Sequence, residues 1–204
     1  MAIDAEATHS SRERLLESGK VLFARMGFER TSTAAIAREA GTSESQLMRY
    51  FHGKAGLLEA IFNESWQGLN QRIQQVVMAA TDAKEALIGV LETVITALGK
   101  DADLAYLLLF EGRRVRGASS EILLSQGFTD FEKLLGVLIH RGRKDGTFHM
   151  PVRDEAIVSA LLGSTEAMIR DRVMAQRAGR EQPFSDQDVR TIFLSIVMAL
   201  GRES

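Results

Sequence analysis

Residues 31–54 constrain the fold most, because their spacing fits two short helices joined by a glycine-centred turn. Gly41 ends the first helix, and Ser43 is placed to cap the second. Leu47 and Phe51 lie one helical turn apart, which gives the second helix one apolar side and leaves its other side for contacts. This spacing predicts a helix-turn-helix, whose second helix enters a DNA major groove.

The rest of the chain is also predicted to be helical, since strand-like alternation and hairpin turns are nearly absent. We expect an all-α fold of about nine helices: a three-helix head at residues 9–54, a long fourth helix that starts near Lys54, and a helical bundle within residues 55–204. Thr33 is the predicted N-cap of the second helix. Beyond the fourth helix, apolar periodicity predicts helices over 83–99, 102–116, 120–144, 154–179 and 186–201.

Composition excludes several classes of protein. The chain has no cysteine, so a disulfide framework and thiolate metal sites are excluded, and a reducing cytosol is favoured. No apolar run is long enough to span a membrane, and the polar N-terminus is unlike a signal peptide. The net charge is −2, but residues 12–54 carry eight basic and five acidic side chains. A weakly basic head on an acidic body is consistent with a small DNA-contacting face in the cytosol or nucleoid.

The outer face of the second short helix supplies candidate DNA contacts. Gln46 and Arg49 have the side chains that read adenine and guanine edges, respectively. Thr33, Tyr50 and Lys54 are candidates for phosphate contacts. The alternative is that these residues are only the polar surface of a three-helix bundle. The full predicted DNA-binding set is Thr33, Ser43, Glu44, Ser45, Gln46, Met48, Arg49, Tyr50 and Lys54.

The order and spacing of motifs across residues 12–62 resemble the N-terminal domain of the TetR family of bacterial transcriptional repressors. The marks that carry the resemblance are Leu22-Phe23, Gly27, Thr31 to Thr33, Ile36-Ala37, Ala40-Gly41, Ser43, Leu47, Tyr50-Phe51, Lys54 and Leu57. The chain departs from the family pattern at Ser45, where glycine is usual, and at Met48, where a tyrosine commonly touches a phosphate.

The resemblance implies a ligand-responsive repressor that binds a palindromic operator as a homodimer, with the last two long helices pairing across a two-fold axis. The apolar stripe of residues 186–201 fits such an interface, and it fits the core of a monomer as well. The predicted interface residues are Leu161, Met168, Val189, Ile192, Phe193, Ile196, Val197 and Leu200.

Family members commonly bind a small molecule among the middle helices, so a small apolar effector is expected here. Glu111 ends an apolar stripe and could anchor a ligand, or it could form an ion pair with Arg114 at the rim or surface. Phe128 and Phe131 could line the chamber or belong to an ordinary core. The predicted ligand-binding residues are Leu107, Phe110, Glu111, Arg114, Phe128 and Phe131.

Catalysis is not supported by the sequence. The four histidines lack metal-ligand spacing, and no P-loop, GxSxG or GxGxxG occurs, so no enzyme, cofactor or metal is predicted. Two alternatives remain open: a helical enzyme or carrier with a vestigial head, and an architectural DNA-binding protein without an inducer.

Overall fold

The computed structural model describes residues 10–111 and 125–201, and the elements in these ranges are helices. The predicted all-α class is confirmed, with nine α-helices in the described ranges. The chain divides into two compact units, Met1–Glu64 and Ser65–Ser204. The division falls inside the long fourth helix, after residue 64. The assignment of two functional domains with a boundary near residue 54 stays a prediction.

The first unit contains three short helices and the start of a long one. Their bounds are α1 Ser11–Met26, α2 Thr33–Glu39, α3 Glu44–Phe51 and α4 Lys54–Ala79. Ser10 caps α1 in a capping box with Glu13, and Gly27 ends it at a positive φ of 81°. α1, α2 and α3 pack on one another around fully buried Leu15, Phe23, Ile36 and Leu47.

The N-cap of α2 differs from the prediction. Ser32, not Thr33, has extended backbone and accepts a hydrogen bond from the Ala35 amide through its side chain. Thr33 is already the first helical residue, so its hydroxyl is left for another contact. Ser43 caps α3 as predicted and accepts from the Gln46 amide.

The second unit is a bundle of the remaining helices. Their bounds are α5 Ala83–Lys100, α6 Ala102–Tyr106, α7 Gln126–Lys144, α8 Asp154–Arg177 and α9 Asp186–Leu200. α6 continues into a π-helical turn, Leu107–Glu111. The side chains of Asp82, Ser125 and Ser185 cap α5, α7 and α9, respectively.

α7 packs against α5 and α8, and α9 packs against the same two helices. Leu87, Leu138, Leu161 and Val189, one from each of the four, are buried where the helices meet. Amphipathic helices in this arrangement bury one stripe each and leave polar faces outside. Among the helices that the structure describes, none combines the length and apolarity that crossing a bilayer would require.

Candidate nucleic-acid interface and ligand cavity

α3 has one buried side and one exposed side. Leu47 is fully buried and Phe51 is 4% exposed, so α3 is fixed to the first unit along this stripe. Met48 is 50% exposed and Tyr50 is 38% exposed, and Arg49 lies between them on the surface. A helix that is packed along one side can place the side chains of its other side in a DNA groove while that packing stays intact.

The two predicted base-reading side chains are hydrogen-bonded to each other. Arg49 donates from one guanidinium nitrogen to Gln46 Oε1 and to the Tyr50 hydroxyl, each at 2.9 Å. The guanidinium lies 4.7 Å from the centre of the Tyr50 ring. The side-chain carbonyl of Gln46 accepts from Arg49, and its backbone amide donates to the N-cap Ser43. The arrangement holds Arg49 against the helix surface, and an arginine has further N–H donors for a base edge.

Thr33 links α2 to the start of α3. Its hydroxyl donates to a Glu44 carboxylate oxygen at 2.6 Å. Ser43 Oγ and Ser45 Oγ share a hydrogen bond of 2.8 Å on the next stretch of surface. The Glu44 carboxylate stabilises the positive end of the α3 dipole. A phosphate contact by Thr33 would therefore require its hydroxyl hydrogen to leave Glu44.

Lys54 is engaged with the turn between α1 and α2. Its ammonium donates to the carbonyl oxygens of Phe28, Glu29 and Thr31, at 3.0, 3.2 and 3.2 Å. It also lies 4.6 Å from the centre of the Phe28 ring. An ammonium has three donors, and each is directed at a carbonyl. The predicted phosphate contact of Lys54 would require it to release at least one of them.

The junction between α3 and α4 depends on residues that the sequence analysis did not single out. His52 ends α3 in the left-handed region, at a φ of 58°, and Gly53 follows at 121°. A Cβ on Gly56 would lie 1.9 Å from the carbonyl oxygen of Phe51. Glycine is needed at position 56 because no side chain fits beside that main chain.

The second unit contains an apolar cavity that is partly open to solvent. It has about 920 Å³ of empty space, including solvent at its opening. α4, α5, the π-helical turn, α7, α8 and α9 all contribute to its wall, and Trp66, Phe128, Phe131 and Phe193 are its aromatic residues. Trp66 contacts the two phenylalanines of α7, with ring centres 5.6 Å apart in both pairs. Concave, mostly apolar cavities of this kind bind small molecules.

The predicted ligand-binding residues separate into three groups. Phe128 and Phe131 lie in the cavity wall. Leu107 and Glu111 are buried on the π-helical turn but outside the wall, and half-buried Phe110 packs near Ile169. Arg114 lies outside the described residues. Burial of Glu111, which is 3% exposed, rules out the alternative in which its carboxylate lies on the surface.

Sequence reasoning missed the polar part of the cavity wall. Thr165 and Glu166 on α8 and Ser125 at the start of α7 line an otherwise apolar wall. The apolar stripe of α8 contains Thr165 between Leu161 and Ile169, and a hydroxyl at such a position is a signal that could have identified it.

The predicted dimer residues are also divided. The chain's own core buries Leu161, Val189, Phe193, Val197 and Leu200. A partner helix could touch little of these side chains, because they are already covered. Met168 and Ile196 are half-buried, and Ile192 is 46% exposed. Met198, which was not predicted, is 50% exposed on the same helix.

Residues 15–61, which contain most of α1, the helix-turn-helix and the start of α4, match the family described as bacterial regulatory proteins, tetR family. These residues form a DNA-binding domain of the TetR family. The protein is a DNA-binding transcriptional regulator, and the match includes α3, the helix that carries Gln46 and Arg49. The resemblance seen in the sequence is confirmed.

Relatives agree with this assignment. The nucleoid occlusion factor SlmA of Vibrio vulnificus is 27% identical over 165 residues, covering 78% of this chain and 81% of SlmA. The probable HTH-type transcriptional regulator YttP of Bacillus subtilis is 32% identical over 65 residues, covering 32% of this chain and 31% of YttP. The transcriptional regulator FadR of Bacillus subtilis, solved in complex with stearoyl-CoA, shares the fold with a TM-score of 0.78 at 17% identity, covering 93% of this chain and 98% of FadR.

Proposed function

We propose that this regulator is a homodimeric repressor that binds a palindromic operator through α3 and releases it when an apolar molecule fills the cavity. The observation that supports this most is the pairing of two features in one chain. An exposed helix face carries Gln46 and Arg49, and a separate apolar cavity lies in the unit Ser65–Ser204. The first feature fits DNA reading and the second fits control by a ligand.

Sequence reading by α3 requires side chains with defined base partners. Arg49 suits the O6 and N7 of a guanine, Gln46 the edge of an adenine, and Glu44 the amino group of a cytosine. The Arg49–Gln46 hydrogen bond orients both side chains before DNA arrives. Met48 is exposed and could contact a thymine methyl. The hydroxyls of Ser43, Ser45 and Tyr50 are the proposed phosphate contacts, together with Thr33 and Lys54 when they leave their present partners.

Dimerisation is proposed along the exposed side of α9. Ile192 and Ile196 lie one turn apart there, and Ile192 is 46% exposed. Met174 on α8 is 44% exposed and could extend the interface. A two-fold axis between two copies would set the two recognition helices about 34–36 Å apart, or one turn of DNA. That geometry requires an operator with inverted half-sites.

An effector in the cavity would act by shifting a population. Filling the cavity favours conformations in which α5, α7, α8 and α9 are spread around the ligand. If these conformations separate the recognition helices by more than one DNA turn, operator affinity falls. FadR, which shares the fold, was solved with stearoyl-CoA, and a long apolar acyl chain is the kind of group that this cavity suits.

A second candidate function follows from the curated relatives. SlmA is described as a nucleoid occlusion factor, and its similarity extends over 78% of this chain. The corresponding candidate for this chain is a protein that binds DNA without responding to an effector. The cavity favours the ligand-responsive repressor, and the two functions differ in whether a small molecule changes operator affinity.

Gel-shift titration against the DNA upstream of its own gene tests the proposal. If an effector releases the protein from its operator, we expect a retarded band that disappears when an apolar molecule that binds the cavity is added. A band that no such molecule affects would favour the second candidate. We also propose that the protein acts in the bacterial cytosol as a regulator and not as an enzyme. Tight ligand binding without any DNA binding would contradict this and favour a carrier or enzyme with a vestigial head.

A further inference from the structure

The hydroxyl of Thr165 is the unusual group in the cavity wall. Its Oγ1 is buried and has no hydrogen-bond partner in the described part of the chain. Other helical hydroxyls behave differently: those of Thr93, Ser164 and Thr191 each donate to the carbonyl oxygen four residues earlier, at 2.8 Å. A buried polar group without a partner costs stability, and a ligand that bonds to it would offset that cost when bound.

The surroundings of Thr165 restrict what its partner could be. Leu161, Leu162 and Ile169 share its stretch of wall, so the body of a ligand there must be apolar. Glu166 is the one charged residue in the described wall. Its carboxylate would repel an anion, and it already interacts with another group of the chain, so it is not vacant for a cation. A neutral ligand is favoured by both facts.

We infer that the effector is a neutral, apolar molecule with one hydroxyl or carbonyl group, and that this group hydrogen-bonds to Thr165 when rotation about the Cα–Cβ bond brings the buried Oγ1 to the cavity. The inference rests on the proposed effector cavity and specifies its ligand. In an apolar cavity one such bond fixes the orientation of the ligand and discriminates against analogues that lack the group. Thr165 is then the specificity-determining residue of the cavity.

Trp66 provides the assay, because it is the only tryptophan of the chain and lies in the cavity wall. We would titrate the full-length protein with 1-decanol, with 1-chlorodecane and with decanoate, and follow Trp66 fluorescence. The alcohol should bind about three- to tenfold more tightly than the chloride, since one neutral hydrogen bond separates them. Decanoate should bind more weakly than the alcohol.

Thr165→Val removes the hydroxyl and keeps the shape of the side chain. It should abolish the preference for decanol over chlorodecane without lowering the Tm, because the lost hydroxyl has no partner in the protein. Thr93→Val is the matched control: Thr93 lies on α5 outside the wall and bonds to Gly89, so this variant should lower the Tm and keep the preference.

Three results would contradict the inference, and each of them would contradict a different part of it. Equal preference for decanol in wild type and Thr165→Val would overturn the role of Thr165 and leave the effector cavity standing. Decanoate binding as tightly as decanol would overturn the neutral ligand. No change of Trp66 fluorescence with any of the three molecules would overturn the cavity as an effector site, and the proposed ligand response with it.

Discussion

Lys54→Met tests whether Lys54 stabilises the first unit or binds a phosphate. The ammonium donates to three carbonyls, of which those of Phe28 and Thr31 belong to residues only 8% and 1% exposed. Water can replace the bond to exposed Glu29 at little cost. Methionine keeps the apolar stem over the Phe28 ring and removes only the charge and its donors.

Two poorly hydrated carbonyls left without a donor should destabilise the protein by about 2–3 kcal/mol in total, since hydrogen bonds to charged groups contribute about 1.5–3 kcal/mol each and these share one ammonium. For a chain of this size about 2–4 °C of Tm is lost per kcal/mol, so we expect a decrease of roughly 4–12 °C. Lys133→Met, at an exposed position of α7, is the control and should change stability by less than about 0.5 kcal/mol.

DNA binding of the same variant separates the two roles. If Lys54 contacts a phosphate, its loss should make the plot of the logarithm of the DNA-binding constant against the logarithm of salt concentration less steep by about one. A purely structural role predicts a lower Tm and an unchanged slope, whereas release of the ammonium to a phosphate, as proposed above, predicts a lower Tm and a slope that is also reduced. The slope is measured by fluorescence anisotropy at several salt concentrations below the melting range. An unchanged Tm together with a slope lowered by about one would refute our reasoning about Lys54.

Four further predictions concern the helix face, the α3–α4 junction, the dimer and a cap. Arg49→Ala should weaken operator binding by about 1–3 kcal/mol, with much less loss on random DNA, and equal losses on both would argue against base reading. Gly56→Ala should lower the Tm because its Cβ would meet the Phe51 carbonyl, whereas Gly68→Ala, with open space around it, should not. Ile192→Glu should convert a dimer into monomers in size-exclusion chromatography with light scattering, and Val137→Glu, at a 63% exposed site on α7, should not. Hydrogen bonds from the backbone and side chain of Ser185 lower the pKa of Asp188 in the folded protein. The ionised carboxylate therefore stabilises the fold above the pKa of the unfolded state, and this stabilisation is lost as the pH falls through the pKa of the folded state. The Tm difference between wild type and Asp188→Ala should shrink in acid.

The helices themselves were predictable because caps and periodicity are local. Ser43, Gly27 and Ser185 begin or end helices as their sequence context indicates. The error at the N-cap of α2 arose because Ser32 and Thr33 are adjacent and both residue types are suited to an N-cap. The backbone conformation decides between them, since Ser32 is extended and Thr33 is already helical. The sequence pattern locates the first or last residue of a helix only to within about one residue.

Long-range contacts were not predictable in the same way. Lys54 lies 23–26 residues from the carbonyls that it binds, so its partners leave no trace in helical spacing. The stripe of α9 is apolar on more than one side, and the sequence does not say which side faces the chain's own core. The structure buries Phe193 and leaves Ile192 exposed, and only the second has surface left for a partner.

Selection of bound fragments from a pool of random DNA, followed by sequencing, shows whether the protein reads its operator as a dimer. We expect enrichment of two inverted half-sites whose centres lie about 10 base pairs, or a multiple of that, apart, because two copies of α3 must reach successive major grooves. Arg49→Ala should lose the preference at one base pair of each half-site. An unenriched pool, or a single site without inverted symmetry, would contradict a dimer that reads its operator through α3.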